Sequence, residues 1–476
     1  MATPNVTREF GSFRDPDGSV FYFEDEVFRR VDRDTFDRIA QLMQNGLLPE
    51  LILDALVVDT AIVDPDSSTG KTLSAMYGEN ACFLKHAKIP FISYPYEWTA
   101  NMLADAGILH LDLQLRLLKK GYSLKDATAF NVAFVGSRAV FMDVPSIELS
   151  KQKSVWFAYG QFCRMFVYPL LLHRYRGLDM RQCFLGHLDG PSVAATRQML
   201  GLWRSLSSKA FVDVFLQNLL CGAAEKRIGK SKSIGLDSAR SDDSRPQELN
   251  LMRLRRLLLS FSQGRGGASA WAAYESTKTY TDTDEAAKTN FIKSFLEEHK
   301  PASVLDMGCN TGRYSMMAVE SSARVVSIDS DHDSVNALYC SVRQDARDLL
   351  PLCLDITNPS PSLGFRHLER KSFEARTDFD AVFALALVHH LLVSARVPLA
   401  ELGPMFAVLT QQWLIVEFVA PDDSMFQRLL ATRENLYADL TAQQFEEAMS
   451  GAFEIVRRCE IMGGNRALYL MKAMKS

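Results

Sequence analysis

Short apolar runs, each ending near a glycine or an ionisable side chain, recur through the C-terminal half of the chain. Val304-Leu-Asp-Met leads into Gly308, a second glycine follows at Gly312, and Arg313 to Val319 continues in a helix-compatible pattern. Arg324 to Asp329, Pro351 to Ile356 with Asp355 near its end, Phe379 to Val388 running into His389-His390, and Trp413 to Val419 repeat the form. Strands buried on both faces of a parallel sheet require such near-continuous runs. Glu454 to Ile461 and Arg466 to Lys472, with a turn at Gly463-Gly464-Asn465, predict a closing antiparallel pair. The pattern therefore predicts an α/β domain over residues 270–476, with five βα units and a terminal hairpin.

The first glycine turn lets a ligand approach the backbone at the carboxyl end of a parallel strand. A second strand ending in an acid should follow about 20 residues later, and Asp329 is in that place. Dinucleotide sites favour a middle glycine so that the backbone can meet a pyrophosphate. Here Asn310 holds that position. A βαβ turn without a ligand is the bland alternative.

The spacing Asp306-x-Gly308-x-x-x-Gly312 resembles motif I of class I S-adenosylmethionine (SAM) methyltransferases, and the five runs and hairpin resemble their seven-stranded, Rossmann-like arrangement. The resemblance implies that Asp306, Gly308, Asn310 and Gly312 form the cofactor loop and that Asp329 accepts both ribose hydroxyls. Asp355 would meet the adenine amine and Ile356 would cover the ring. Ala386-Leu-Val-His-His-Leu-Leu392 is similar to the segment after strand four in small-molecule methyltransferases, not to the Asn/Asp-Pro-Pro-Tyr motif of amino-methylating enzymes. His389 or His390 is then the candidate general base, since imidazole titrates near neutrality. The duller role for this pair is strand capping and packing. Only one of two adjacent residues at a strand end should face the methyl group. Glu417, at the end of the fifth strand, is expected to be structural. Trp271, Tyr274 and Tyr280, upstream with Lys288, form either a lid over the cofactor or a packed helix.

The N-terminal region, residues 1–224, reads as mixed α+β. Ser19 to Val31 predicts a β-hairpin turning at Glu24-Asp25, Thr35 to Leu56 a helix, and Phe91 to Trp98 a strand leading to a turn. Asn101 to Lys120 predicts an amphipathic helix closed by Gly121. Gly136-Ser137 makes a tight hairpin turn between two apolar strands. Asp126-x-x-x-x-Asn131, that hairpin and Asp143 resemble the catalytic loop and metal-binding aspartate of kinase-like folds. The departures are Leu124 in place of His, Val144-Pro145 after Asp143, no glycine-rich nucleotide loop and no identifiable phosphate-binding lysine. Asp and Asn also occur in turns simply because they bond their own backbone.

Residues 225–269 read as linker and connecting helix. Lys226 to Ser244 has loop composition. Leu249 to Phe261 is helical, with Arg253, Arg255 and Arg256 on a face expected to be solvated.

Composition narrows the function. Of 476 residues 47% are hydrophobic, and the formal net charge is -4, which gives no sign of nucleic-acid affinity. Eight cysteines without a Cys-x-x-Cys pair argue against a zinc site or disulfide frame and for a reducing, cytoplasmic setting. No apolar run approaches membrane-spanning length, and the first residues lack a signal-peptide core. No metal or membrane partner is expected.

Tyr94-Pro-Tyr-Glu-Trp98 and Lys125-Asp-Ala-Thr128, joined to a methyltransferase-like half, are similar to a bacterial family of two-part methyltransferase-like proteins, some likened to ribosomal protein L11 methyltransferases. One rhizobial branch of that family acts in host-specific nodulation, which the resemblance implies here. The expected function is SAM-dependent methylation of a small-molecule acceptor. The rivals are a protein methyltransferase whose N-terminal region recognises the substrate, and a non-catalytic SAM-binding regulator.

Overall fold

The computed structural model describes residues 6–219, 243–262 and 282–474, apart from positions 17, 346 and 432. The chain divides into two compact units: Met1–Val135, Ala139–Gly264 and Leu363–Arg370 form one, and Gly136–Arg138, Arg265–Ser362 and Lys371–Ser476 the other.

In the first unit, strands β1 (Val6–Arg8), β2 (Gly18–Phe23), β3 (Glu26–Val31), β4 (Thr60–Ile62) and β5 (Cys82–His86) make an antiparallel sheet in the order β1-β2-β3-β5-β4. The β2–β3 turn falls at Glu24 and Asp25, both at positive φ, as the two-residue hairpin geometry requires. The helix expected over Thr35–Leu56 is two helices, Arg33–Gln44 and Leu47–Leu53, because Gly46 adopts φ 78° and breaks the run. Phe91–Trp98 is not a strand. Pro95–Glu97 forms a single 3-10 turn, and the buried Glu97 carboxylate accepts the Tyr94 N–H at 2.9 Å. Proline cannot donate to a ladder, so this apolar run satisfies its backbone locally.

The helix Ala100–Lys119 follows, with Gly121 at φ 80° after it. β6 (Tyr122–Leu124) pairs with β9 (Ile147–Leu149), and between them β7 (Val132–Val135) pairs with β8 (Arg138–Phe141). The helix Arg245–Ser262 packs on Ala100–Lys119. Its arginines are not a merely solvated face. Arg253 makes a bidentate pair with the buried Asp213 at 2.6 and 2.8 Å, and Arg255 pairs with Asp112 at 2.6 Å.

The second unit is a seven-stranded mixed sheet. β10 (Ser303–Met307), β11 (Arg324–Asp329), β12 (Leu349–Cys353), β13 (Phe379–Ala384) and β14 (Thr410–Val419) run parallel, and β15 (Phe453–Ile461) and β16 (Arg466–Ala473) complete it antiparallel. The order β12-β11-β10-β13-β14-β16-β15 is the arrangement the methyltransferase resemblance implies. Every residue of β10 is buried, which accounts for its unbroken apolar run. The order reverses direction at β10, between β11 and β13. Ligands of open α/β sheets bind beyond the carboxyl ends of the strands at such a switch point.

Candidate functional site

At that switch point lies a cavity of about 560 Å³, within the range typical of small-molecule sites. Its lining includes Asp306, Gly308, Asn310, Asp329, Asp355, Ile356 and His390. Two other expected residues, Gly312 and His389, do not line it.

β10 delivers Asp306 with 2% exposure. Ser315, on the following helix Arg313–Glu320, donates its hydroxyl to Asp306 Oδ2 at 2.5 Å, and Ser327 of β11 donates in turn to Ser315 at 2.8 Å. Burial pushes the Asp306 carboxyl up to about 6. Asp329 ends β11. Its two oxygens accept the backbone N–H groups of Asn310 and Asp331, each at 2.9 Å, and burial raises its pKa above the ordinary value. Asp329 lines the cavity, and a carboxylate, with about four lone-pair sites, retains acceptor capacity beyond these bonds.

The turn itself is strained. Gly308 adopts φ 72°, Asn310 φ 50° and Gly312 φ 84°. The Asn310 side-chain oxygen is buried with no hydrogen-bond partner. Gly312 is under a packing constraint. A Cβ there would lie 2.4 Å from Leu338 Cδ1, so this glycine lets the turn pack on the helix His332–Val342. Asp355 accepts the Thr357 N–H at 2.9 Å and hydroxyl at 2.7 Å, fixing its carboxylate at the cavity rim.

The paired histidines follow a turn, not a strand end. β13 stops at Ala384, Ala386 adopts φ 49°, and a helical turn begins that continues as the π-helix His390–Ser394. The adjacent rings therefore do not alternate across a sheet; their centroids are 4.3 Å apart. His390 lines the cavity, and burial lowers its pKa to about 4. His389 is 1% exposed, stacks on Phe426 at 6.5 Å, and has no hydrogen-bond partner at either ring nitrogen. Burial, then the neighbouring His390, drives its pKa well below the ordinary histidine value.

Sequence reasoning assigned no ligand contact to a charged wall on the helix Asp282–His299. Glu285 and Lys288 both line the cavity, and Glu285 forms an ion pair with Arg313. Their spacing of three residues on one helix was the available signal. Glu417, buried to 0% exposure, accepts the Lys288 ammonium at 2.5 Å and the Ala386 N–H at 2.9 Å through one oxygen, and Arg466 at 3.1 Å through the other. Arg466 also grips Asp423 at 2.8 and 3.0 Å. Glu417 thus holds the positive-φ turn beneath His390 and balances two buried cations. Trp271, Tyr274 and Tyr280 lie outside the described residues.

In the first unit, Asn131 donates to Asp143 at 3.2 Å, and Arg29, 8% exposed on β3, donates to the other Asp143 oxygen at 2.7 Å and also to Asp15. Burial raises the Asp126 pKa. Among the described residues no cluster of three or more His, Cys, Asp or Glu is placed to hold a metal ion, and no helix is long and apolar enough to cross a membrane.

The chain is 34% identical to the nodulation protein NoeA of Rhizobium meliloti (strain 1021) over 470 residues, which is 98% of this chain and 96% of the relative. It belongs to the NoeA family. No family model matches it. Solved structures that align with this NoeA homologue include the N-methyltransferase NodS from Bradyrhizobium japonicum WM9, at 12% identity over 41% of this chain and 98% of that one, TM-score 0.31. Magnesium protoporphyrin IX methyltransferase from Synechocystis PCC 6803 aligns at 16% identity over 40% and 84% of the two chains, TM-score 0.29. The bifunctional kinase-methyltransferase WbdD aligns at 14% identity over 40% of each chain, TM-score 0.29.

Proposed function

We propose that the chain is a SAM-dependent methyltransferase acting on a small molecule. The cavity at the switch point carries this reading: Asp329, Asp355 and His390 line it together with Asn310 of the glycine turn. These residues fit the cofactor. Asp329 has acceptor capacity for a ribose diol, Asp355 and Ile356 suit an adenine, and the Lys288–Glu285 wall suits a zwitterionic amino-acid end. When bound, SAM supplies an electrophilic methyl group on a sulfonium. The pocket residues would orient an acceptor beside the bound cofactor, and transfer to a protic acceptor would leave it a proton to shed. Proximity and alignment supply several kcal/mol of the barrier. His390 is the candidate to receive that proton. Its depressed pKa keeps the ring neutral and able to accept, and makes it a weak base, better suited to orienting the acceptor than to stripping a poorly acidic group. Similarity to a nodulation protein supports a part in host-specific nodulation.

Isothermal titration should show SAM binding, and labelled SAM incubated with host-cell extract should pass label to the small-molecule fraction. Label in protein would favour the protein-methyltransferase reading. Binding without transfer would favour the regulator, and preference for NAD would overturn the assignment.

A second reading concerns the first unit, which we infer to be a degenerate kinase-like domain. The five-stranded sheet, the β6–β9 and β7–β8 pairings and the Asn131–Asp143 hydrogen bond favour it. Arg29 on β3 already pairs with both Asp143 and Asp15, occupying oxygens that a metal ion would need. We therefore expect Mg²⁺ with ATP to leave the melting temperature unchanged. A clear stabilisation that disappears in Asp143→Asn would instead make the site a working one.

A further inference from the structure

We propose that residues 193–216 of the first unit form a docking face for an anionic lipid surface; this stands independently of methyl transfer. The helix Val193–Leu200, the turn Leu202–Ser205 and the π-helix Phe211–Leu216 pack against one another. They are inside out in part. The polar Thr196, Ser205 and Asp213 are fully buried, whereas Trp203 is 86% and Leu202 52% exposed. Met199, Leu206, Phe211 and Val212 are exposed as well. One exposed apolar side chain needs no explanation, but a contiguous patch marks an interaction surface.

Guanidinium groups are fixed around this patch. Arg176 donates to the Met199 carbonyl at 2.6 Å and the Leu200 carbonyl at 2.7 Å. Arg204 donates to the Tyr175 carbonyl at 2.8 Å, and Arg197 lies 5.9 Å from the Phe215 ring centre. From Leu171 to Leu216 the sequence carries Arg174, Arg176, Arg181, Arg197, Arg204 and Lys209 against Asp179, Asp189 and Asp213, the last fully buried and paired with Arg253. This strip is basic in a chain whose net charge is -4.

The chemistry selects the occupant. A second copy of the face would set like charges opposite each other with no acidic complement. A nucleic acid would use the cations and stack on Trp203, but would leave the aliphatic residues in water. An anionic bilayer satisfies both parts: Trp, Leu and Met enter the headgroup boundary while the guanidinium groups meet lipid phosphates.

The test is flotation of the full chain with vesicles of phosphatidylcholine alone or mixed with phosphatidylglycerol. Binding to the anionic vesicles only, weakening with salt, is expected. Trp203→Ala should reduce partitioning about tenfold, the effect of losing one buried large apolar side chain. Arg174→Gln with Arg204→Gln should reduce it at low salt and flatten the salt dependence. Unchanged melting curves would exclude misfolding, which substitution at so exposed a residue should not cause. No binding to anionic vesicles, or wild-type binding by Trp203→Ala, would overturn the proposal. So would a sedimentation dimer abolished by that substitution, or competition by an oligonucleotide that leaves the substitution without effect.

Discussion

The Asp329 carboxylate accepts the backbone N–H of Asn310 at 2.9 Å, so the acid ending the second strand also holds the glycine turn after the first. The tie helps hold Asn310 at φ 50°. Left-handed backbone is uncommon for a side-chain-bearing residue and persists where its surroundings impose it. Asp329→Ala removes the tie and the expected ribose acceptor together. SAM affinity measured by titration should fall by about 1–3 kcal/mol, the loss of charge-assisted hydrogen bonds. Equal affinity in the two proteins would take Asp329 out of the site.

Gly312 distinguishes packing from ligand approach. A methyl group there meets Leu338 on the helix behind the turn, and φ 84° is unfavourable for any residue with a Cβ. Gly312→Ala should cost about 2–4 kcal/mol in denaturant unfolding, from overpacking plus left-handed strain. Residual folded protein should bind SAM at near wild-type affinity. Lost affinity with unchanged stability would reverse this assignment.

The buried quartet under the cavity predicts an asymmetric penalty. Arg466 spans Glu417 and Asp423, all at 1% exposure or less. Arg466→Met leaves two carboxylates facing one remaining ammonium, and removing one member of a buried ion pair typically costs about 3–5 kcal/mol. The unfolding midpoint measures it. A loss below about 1 kcal/mol would mean that water reaches the network.

The buried strands were legible because their signal is local. Each run of apolar residues carries its own evidence of double-sided burial, and Asp329 sits at a fixed distance from Gly312. The ion network was not legible, because its partners lie 129, 49 and 43 residues apart and each charge taken alone reads as solvated. The same limitation hid the pairing of Arg253 with Asp213. Phe91–Trp98 misled for another reason. Its apolar composition fits a strand, and only the buried Glu97 cap reveals that the backbone bonds itself. The histidine turn depended on Ala386, whose positive φ is held by a carboxylate on a different strand.

The two histidines should separate chemistry from stability. His390 faces the cavity and His389 does not, so His390→Asn should lower kcat by about 10²–10⁴ if it receives a proton, while SAM affinity stays near wild type. His389→Asn should act on folding alone. Linkage gives an independent reading. Both imidazoles bind protons more weakly folded than unfolded: His390 titrates near 4 against an ordinary 6.5, and His389 is shifted the same way. Between those values the unfolded chain holds the extra proton, so their contribution is complete above pH 6.5 and is lost as pH falls toward 4. The slope approaches about 1.4 kcal/mol per pH unit for each histidine. Asp306 opposes it between 3.8 and about 6, because its raised pKa gives the folded state the extra proton there. Melting temperatures taken from pH 7 to pH 4.5 should therefore fall less steeply in His390→Asn than in wild type. Parallel curves would mean that the ring is hydrated and titrates normally, and the case for its orienting a substrate within a dry pocket would fail with it.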